Sequence, residues 1–273
     1  MISTRDFLAL TGLGDGHFQL PVGEHATGGG GHRSLFGGVG AAAGIVALET
    51  VSGRPTIWAT AQYLSRLGSG SVLDLHVDIE ANGRSISQGL VRGRHDNSSV
   101  ITLIGATGRR PGRPTDSAIV FKPRPDAPQP HRCDLVPRHE DVVSVHTHVE
   151  LRLASGMFGF SAQGRASGRG HTLLWARMPE VLLDAASVAL MADYMASAVG
   201  DALEREAHCT SLDNTIRFTA PIEPGSSDWI LCDTQVDFTD GGIAHATSHI
   251  WNETGALIAI SSQSMAVTSP PAG

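Results

Sequence analysis

Residues 180–203 read EVLLDAASVALMADYMASAVGDAL. Leu182, Ala186, Ala189, Met191, Tyr194, Ala198 and Ala202 give helical periodicity around most of the circumference. A helix that is apolar nearly all round is a buried one, so neighbouring segments must wrap it. Four strand-like runs follow, at 211–219, 228–238, 244–252 and 256–267, with turn signals at Asp240-Gly241 and Glu253-Thr254-Gly255. Such turns at regular spacing predict hairpins in an antiparallel sheet.

The same order occurs once before. A Gly- and Ala-rich helix is predicted from 35 to about 51, then runs at 56–64, 71–79, 85–94 and 100–107. Asn82-Gly83 and Asp96-Asn97-Ser98 take the turn places. A further strand pair precedes each helix, 7–10 with 17–20 and 145–153 with 171–178. Periodicity thus gives an α+β chain built from one unit used twice, residues 1–108 and 142–273. Between them, 109–141 carries prolines at 111, 114, 123, 125, 128, 130 and 137. Proline removes backbone donors and disfavours both helix interiors and central strands, so this segment is predicted to be a solvated linker.

Composition narrows the function classes. With 41% hydrophobic residues among 273, the chain can bury a sizeable core, and two domains fit its length. A net charge of −7, with Lys122 the one lysine, does not supply the clustered basic excess that nucleic acid requires. Cys133, Cys209 and Cys232 are odd in number and widely spaced, which fits a reducing compartment and no disulfide framework. No run approaches the roughly 18 apolar residues of a membrane span, and a cytoplasmic location is expected. The histidines His146-x-His148 and His245/His249 have no Cys or carboxylate at ligand spacing, so no metal is expected. No G-x-S-x-G elbow occurs, and Gly28–Gly31 lacks the ending of a phosphate loop.

Short motifs resemble one family. Leu35-Phe36-Gly37-Gly38, Asn82-Gly83-Arg84-Ser85, Trp175-Ala176-Arg177, Ser211-Leu212-Asp213, Trp229-Ile230-Leu231 and Gln263 resemble, in order and spacing, the double-hotdog acyl-CoA thioesterases of the thioesterase II type. The sequence departs at Val39, where the family has Gln, at Thr60-Ala61-Gln62, and at Arg66-Leu67. The resemblance implies a double hotdog: two tandem units, each a long central helix wrapped by an antiparallel sheet. It implies hydrolysis of a fatty acyl-CoA to free acid and CoA by activated water, without a cofactor, and a dimer of double hotdogs as the assembly. Carried over by position, the catalytic residues would be Asp213, Thr239 and Gln263, all from the second unit.

The chemistry asks for such groups. A carboxylate can take a proton from water, a hydroxyl and an amide can hold that water, and backbone N–H groups at a helix start can face the carbonyl oxygen. Gly37 and Gly38 are the candidates for that close backbone approach. Strand parity sets Asp213 with Thr215, Arg217 and Thr219 on a polar face, where an ion pair with Arg217 is the plainer reading. Gln263 falls on the apolar side with Leu257, Met265 and Val267, and a glutamine there needs partners. Setting the halves against each other puts Ala59 opposite Asp213 and Ala106 opposite Gln263, leaving the first half without groups that act on water. A non-catalytic acyl-CoA or acyl-carrier binding protein on the same fold stays open, and so does a hotdog hydratase.

Overall fold

Two apolar helices, each without a polar face, organise the molecule. The computed structural model describes residues 1–28, 33–109, 121–138, 142–225 and 227–268. In chain order the first unit contains α1 (Thr4–Phe7), β1 (Thr11–Gly14), β2 (His17–Pro21), α2 (Gly37–Ser52), β3 (Thr56–Tyr63), β4 (Val72–Asn82), β5 (Ile86–His95) and β6 (Ser98–Gly108). The second contains β7 (Asp134–Leu135), β8 (Glu150–Ser155), β9 (Met157–Phe158), β10 (Gln163–Gly164), β11 (His171–Arg177), α3 (Ala185–Ala192), α4 (Val199–Leu203), β12 (His208–Ser211), β13 (Asp213–Phe218), β14 (Ile230–Asp240), β15 (Ile243–Asn252) and β16 (Leu257–Thr268).

Fourteen of the strands form one continuous sheet in the order β1-β2-β4-β5-β6-β3-β13-β16-β15-β14-β11-β8-β7, with β12 also paired to β16, and β9 and β10 form a separate hairpin. The core order β2-β4-β5-β6-β3 is met in reverse by β13-β16-β15-β14-β11, so the duplicated unit is real and its two copies meet back to back. The seam is the antiparallel pair β3–β13, with Gln62 opposite Asp213 and Trp58 opposite Arg217. Thr60 and Thr215 join hydroxyls across it at 3.0 Å. The expected double hotdog is therefore the fold, with the central helices packed against each other on the inner face.

Helix α2 ends where expected, because Gly53 adopts φ +64° and returns its N–H to the Glu49 carbonyl. The second helix begins with a capping box, in which Asp184 and Ser187 exchange side-chain to backbone bonds. It is not continuous over 180–203: after Ala192 the chain tightens into a 3-10 turn at Asp193–Ala198 before α4 resumes. At the N-terminus, 7–10 is not a strand. Ser3 caps Asp6 and winds a short helix, and the strand begins at Thr11. Residues 145–148 are likewise a 3-10 turn, ahead of β8.

The described part of the linker runs along the surface with many residues exposed, and it is tied down at defined points. The Pro128 carbonyl accepts from Trp175 Nε1 at 2.9 Å, and Arg124 lies over the Trp175 ring. Cys133 is buried with Trp175, Trp229, Leu231 and Trp251, and Asp134–Leu135 adds the edge strand beside β8. Lys122 pairs with the buried Asp233 at 3.0 Å. Aromatic residues on the outer face of the second sheet explain the anchoring, since they need cover and this segment supplies it. Residues 110–120 and 139–141, with Pro111 and Pro114, lie outside the described residues, as do Gly29–Gly31.

Candidate active site

Asp193 stands where the two units touch. It is the first residue of the 3-10 turn, 3% exposed, and the N-terminus of α2 points at it. The Gly38 N–H donates to Asp193 Oδ2 at 2.7 Å. On the other oxygen, Gln263 Nε2 donates to Oδ1 at 2.5 Å and Ser211 Oγ at 3.3 Å. Gln263 Nε2 also bonds Ser211 Oγ at 2.7 Å. A carboxylate in front of a helix N-terminus is stabilised by the helix dipole as well as by these donors.

Each partner is placed by its strand. Gln263 alternates inward with Ala259, Ser261 and Met265 on β16, and is fully buried. Ser211 pairs with Met265 at the end of β12, whereas Thr215 pairs with Ser262, so the register slips by one residue between them. That slip at Leu212–Asp213 turns both Ser211 and Asn214 to the inner face. Asn214 accepts from Ser261 Oγ at 2.9 Å and lies beside Asp193. Burial pushes the Asp193 carboxyl above its ordinary value, and the bonds from Gln263, Gly38, Asn214 and Ser211 pull it back part of the way.

Of the three residues expected to converge, the structure brings only Gln263 to this point. Asp213 follows the slip and pairs with Gln62 of β3; its Oδ1 accepts the Ser264 N–H at 2.7 Å rather than joining the bonds around Asp193, although its charge reaches the buried Tyr63 hydroxyl. The expected pairing with Arg217 is replaced by this backbone bond. Thr239 pairs with Ala244 near the end of β14, two strands from β16, which is about 10 Å across the sheet. The Gly38 N–H, expected to face a substrate carbonyl, instead holds Asp193.

The comparison of halves shifts by one residue too. Ala106 pairs with Trp58 and Gln88 on the outer face; the inward residue of that region is Gly105, beside Ala59 and Gly89. The first unit still offers no carboxylate in the middle of its helix, where α2 runs GGVGAAAGIVALETVS.

Asp193 is not among the sequence-predicted site residues, because it sits inside an apolar helical run and its partners Gly38 and Gln263 lie 155 and 70 residues away. The available signal was an acid set among buried positions on every side, at the centre of ALMADYMASA. Beside it, Tyr194 Oη meets His146 Nδ1 at 2.6 Å, and both rings pack on Phe36 at the start of α2. Among the described residues, no group of three His, Cys, Asp or Glu side chains could hold a metal ion.

Known proteins share this architecture. A candidate thioesterase from Novosphingobium aromaticivorans is 32% identical over 96% of this chain and all of its own, with a TM-score of 0.83. A TesB protein of Mycobacterium avium subspecies paratuberculosis (19% identity, 97% and 98% of the two chains, TM-score 0.76) has the same fold. So does an acyl-CoA thioesterase II of Mycobacterium marinum (18% identity, 99% and 98%, TM-score 0.71). No curated protein matches the chain. The family model described as acyl-CoA thioesterase C-terminal domain matches residues 111–267. With more than half of its length so matched, and near-complete coverage of a neighbour 32% identical to it, the chain belongs to the acyl-CoA thioesterase family.

Proposed function

We propose that this protein hydrolyses acyl-CoA thioesters with water activated by Asp193. One observation carries the reading: a buried carboxylate at a helix N-terminus is clasped by an amide and a hydroxyl that can also hold a water molecule. Asp193 takes the proton as the water oxygen attacks the thioester carbon, while Ser211 and Gln263 fix the direction of attack. Collapse of the tetrahedral intermediate expels the CoA thiolate, which recovers the proton from Asp193. No covalent acyl-enzyme is needed, because a thioester carbonyl is already electrophilic.

Thiol release from a panel of acyl-CoAs by the purified protein tests this directly. Tight binding of acyl-CoA without release of any thiol would move the protein to the non-catalytic binding class instead.

The raised Asp193 pKa gives a pH signature. The base works only when ionised, so kcat/KM should rise with pH along an acid limb lying above the ordinary aspartate value. Stability runs the other way. A carboxyl whose folded pKa exceeds its unfolded one favours folding at low pH, and that contribution is lost as pH rises through the folded value. Rate and melting-temperature profiles recorded on one buffer series should therefore diverge across that window. An acid limb at the ordinary aspartate value would count against Asp193 as the base.

A further inference from the structure

The first unit, which already supplies the Gly38 N–H, places one further reactive group at the site. Tyr63 is the last residue of β3, and its ring packs on Gly37 at the start of α2. A Cβ on Gly37 would lie 3.1 Å from Tyr63 Cζ and 2.9 Å from Asp193 Oδ2. The phenol and the carboxylate therefore face each other across a gap that a single methyl group would fill. Tyr63 Oη is buried and has no hydrogen-bond partner among the described residues, and the same holds for Gln263 Oε1. Buried polar atoms are nearly always satisfied, so an orphan hydroxyl and an orphan amide oxygen on two residues that both approach Asp193 call for a partner that arrives with the substrate. Packing does not account for it, since phenylalanine would fill the same volume without stranding a hydroxyl.

We infer that Tyr63 is a catalytic residue whose hydroxyl donates a hydrogen bond to the thioester carbonyl oxygen. This rests on the thioesterase reading above, and it supplies what that reading lacks. The Gly38 N–H is engaged by Asp193, so a donor is required elsewhere for the oxygen that gains charge. As the water oxygen bonds to the carbonyl carbon, the C=O electron pair moves onto oxygen and the Tyr63 O–H steadies it. The pair returns when the C–S bond breaks, the thiolate leaves, and the tyrosine keeps its proton throughout. Burial and the nearby Asp193 and Asp213 charges hold the phenol protonated, as a donor must be. The two units are thereby catalytically interdependent, with the water-activating groups from one and the oxyanion donor from the other.

Tyr63→Phe removes the hydroxyl and keeps the ring. Two measurements on the full-length protein decide the matter: thiol release from acyl-CoA, and calorimetric binding of an S-alkyl-CoA thioether, which has no carbonyl oxygen. The expected result is a fall in kcat of about 10²-fold, with KM and thioether affinity close to wild type. Wild-type kcat in the variant overturns the assignment and leaves the thioesterase reading intact. Loss of thioether affinity in proportion to kcat also overturns it, because the ring would then act only through the shape of the pocket or the integrity of the fold. A wild-type protein that releases no thiol from any acyl-CoA sinks both readings together.

Discussion

Asp193→Asn is expected to lower thioester hydrolysis by about 10²–10⁴-fold, the range that a positioned general base contributes. The substitution is close to isosteric. An asparagine oxygen can still accept the Gly38 N–H, and Gln263 can turn its amide to present oxygen where it now presents nitrogen. What disappears is the capacity to take a proton. KM should change little, because the lost interaction forms only as the transition state is approached. Thermal stability should hold or rise, since a buried carboxylate that resists ionisation is replaced by a neutral group. Asp213→Asn makes the control. That residue accepts one backbone N–H, which an asparagine oxygen can still receive, so both stability and kcat should stay close to wild type. If instead Asp213→Asn abolishes turnover and Asp193→Asn turns over normally, Asp213 and not Asp193 is the base.

How far the sequence could be read depended on the length scale of each signal. Apolar residues recurring around a helix, and dipeptide turns between alternating runs, are local patterns. They located α2, the hairpins β4–β5 and β14–β15, and the duplication. Parity places Asp213 on a polar face and Gln263 on an apolar one, and Gln263 is indeed buried within an alternating strand. Parity also required Gln263 to have partners. It could not say which, because Asp193 lies 70 residues away and reaches β16 only through the crossing of helix and sheet. The one-residue slip at Leu212–Asp213 is invisible to a strict period of two. Without that slip, Ser211 and Asp213 would share a face, and Asp213 would seem the natural acid of the motif. The anchoring of the linker escapes the sequence pattern for a related reason. Proline excludes helix and central strand, but it does not exclude an extended strap whose carbonyls accept from an aromatic face, as Pro128 accepts from Trp175.

Gly38→Ala should damage stability and chemistry by a single displacement. The new Cβ would stand 2.4 Å from the Leu190 carbonyl oxygen, 2.9 Å from the Phe36 ring and 3.0 Å from Asp193 Cβ. The first of these is backbone inside α3, so no side-chain rotation relieves it and the two helices must separate. Overpacking of this kind costs about 1–3 kcal/mol, and more where backbone meets backbone. Separation also lengthens the bond from the Gly38 N–H to Asp193 Oδ2, removing a donor that favours the ionised carboxylate. The Asp193 pKa should then climb further, and the acid limb of kcat/KM should move to higher pH in the fraction that folds. Val39→Ala separates the two effects. Val39 is fully buried one residue along, and its truncation leaves a cavity costing stability without moving the Gly38 N–H. Val39→Ala should therefore lower the melting temperature with the acid limb in place, whereas Gly38→Ala lowers one and shifts the other. An unshifted limb in both variants would mean that the helix N-terminus does not set the basicity of Asp193.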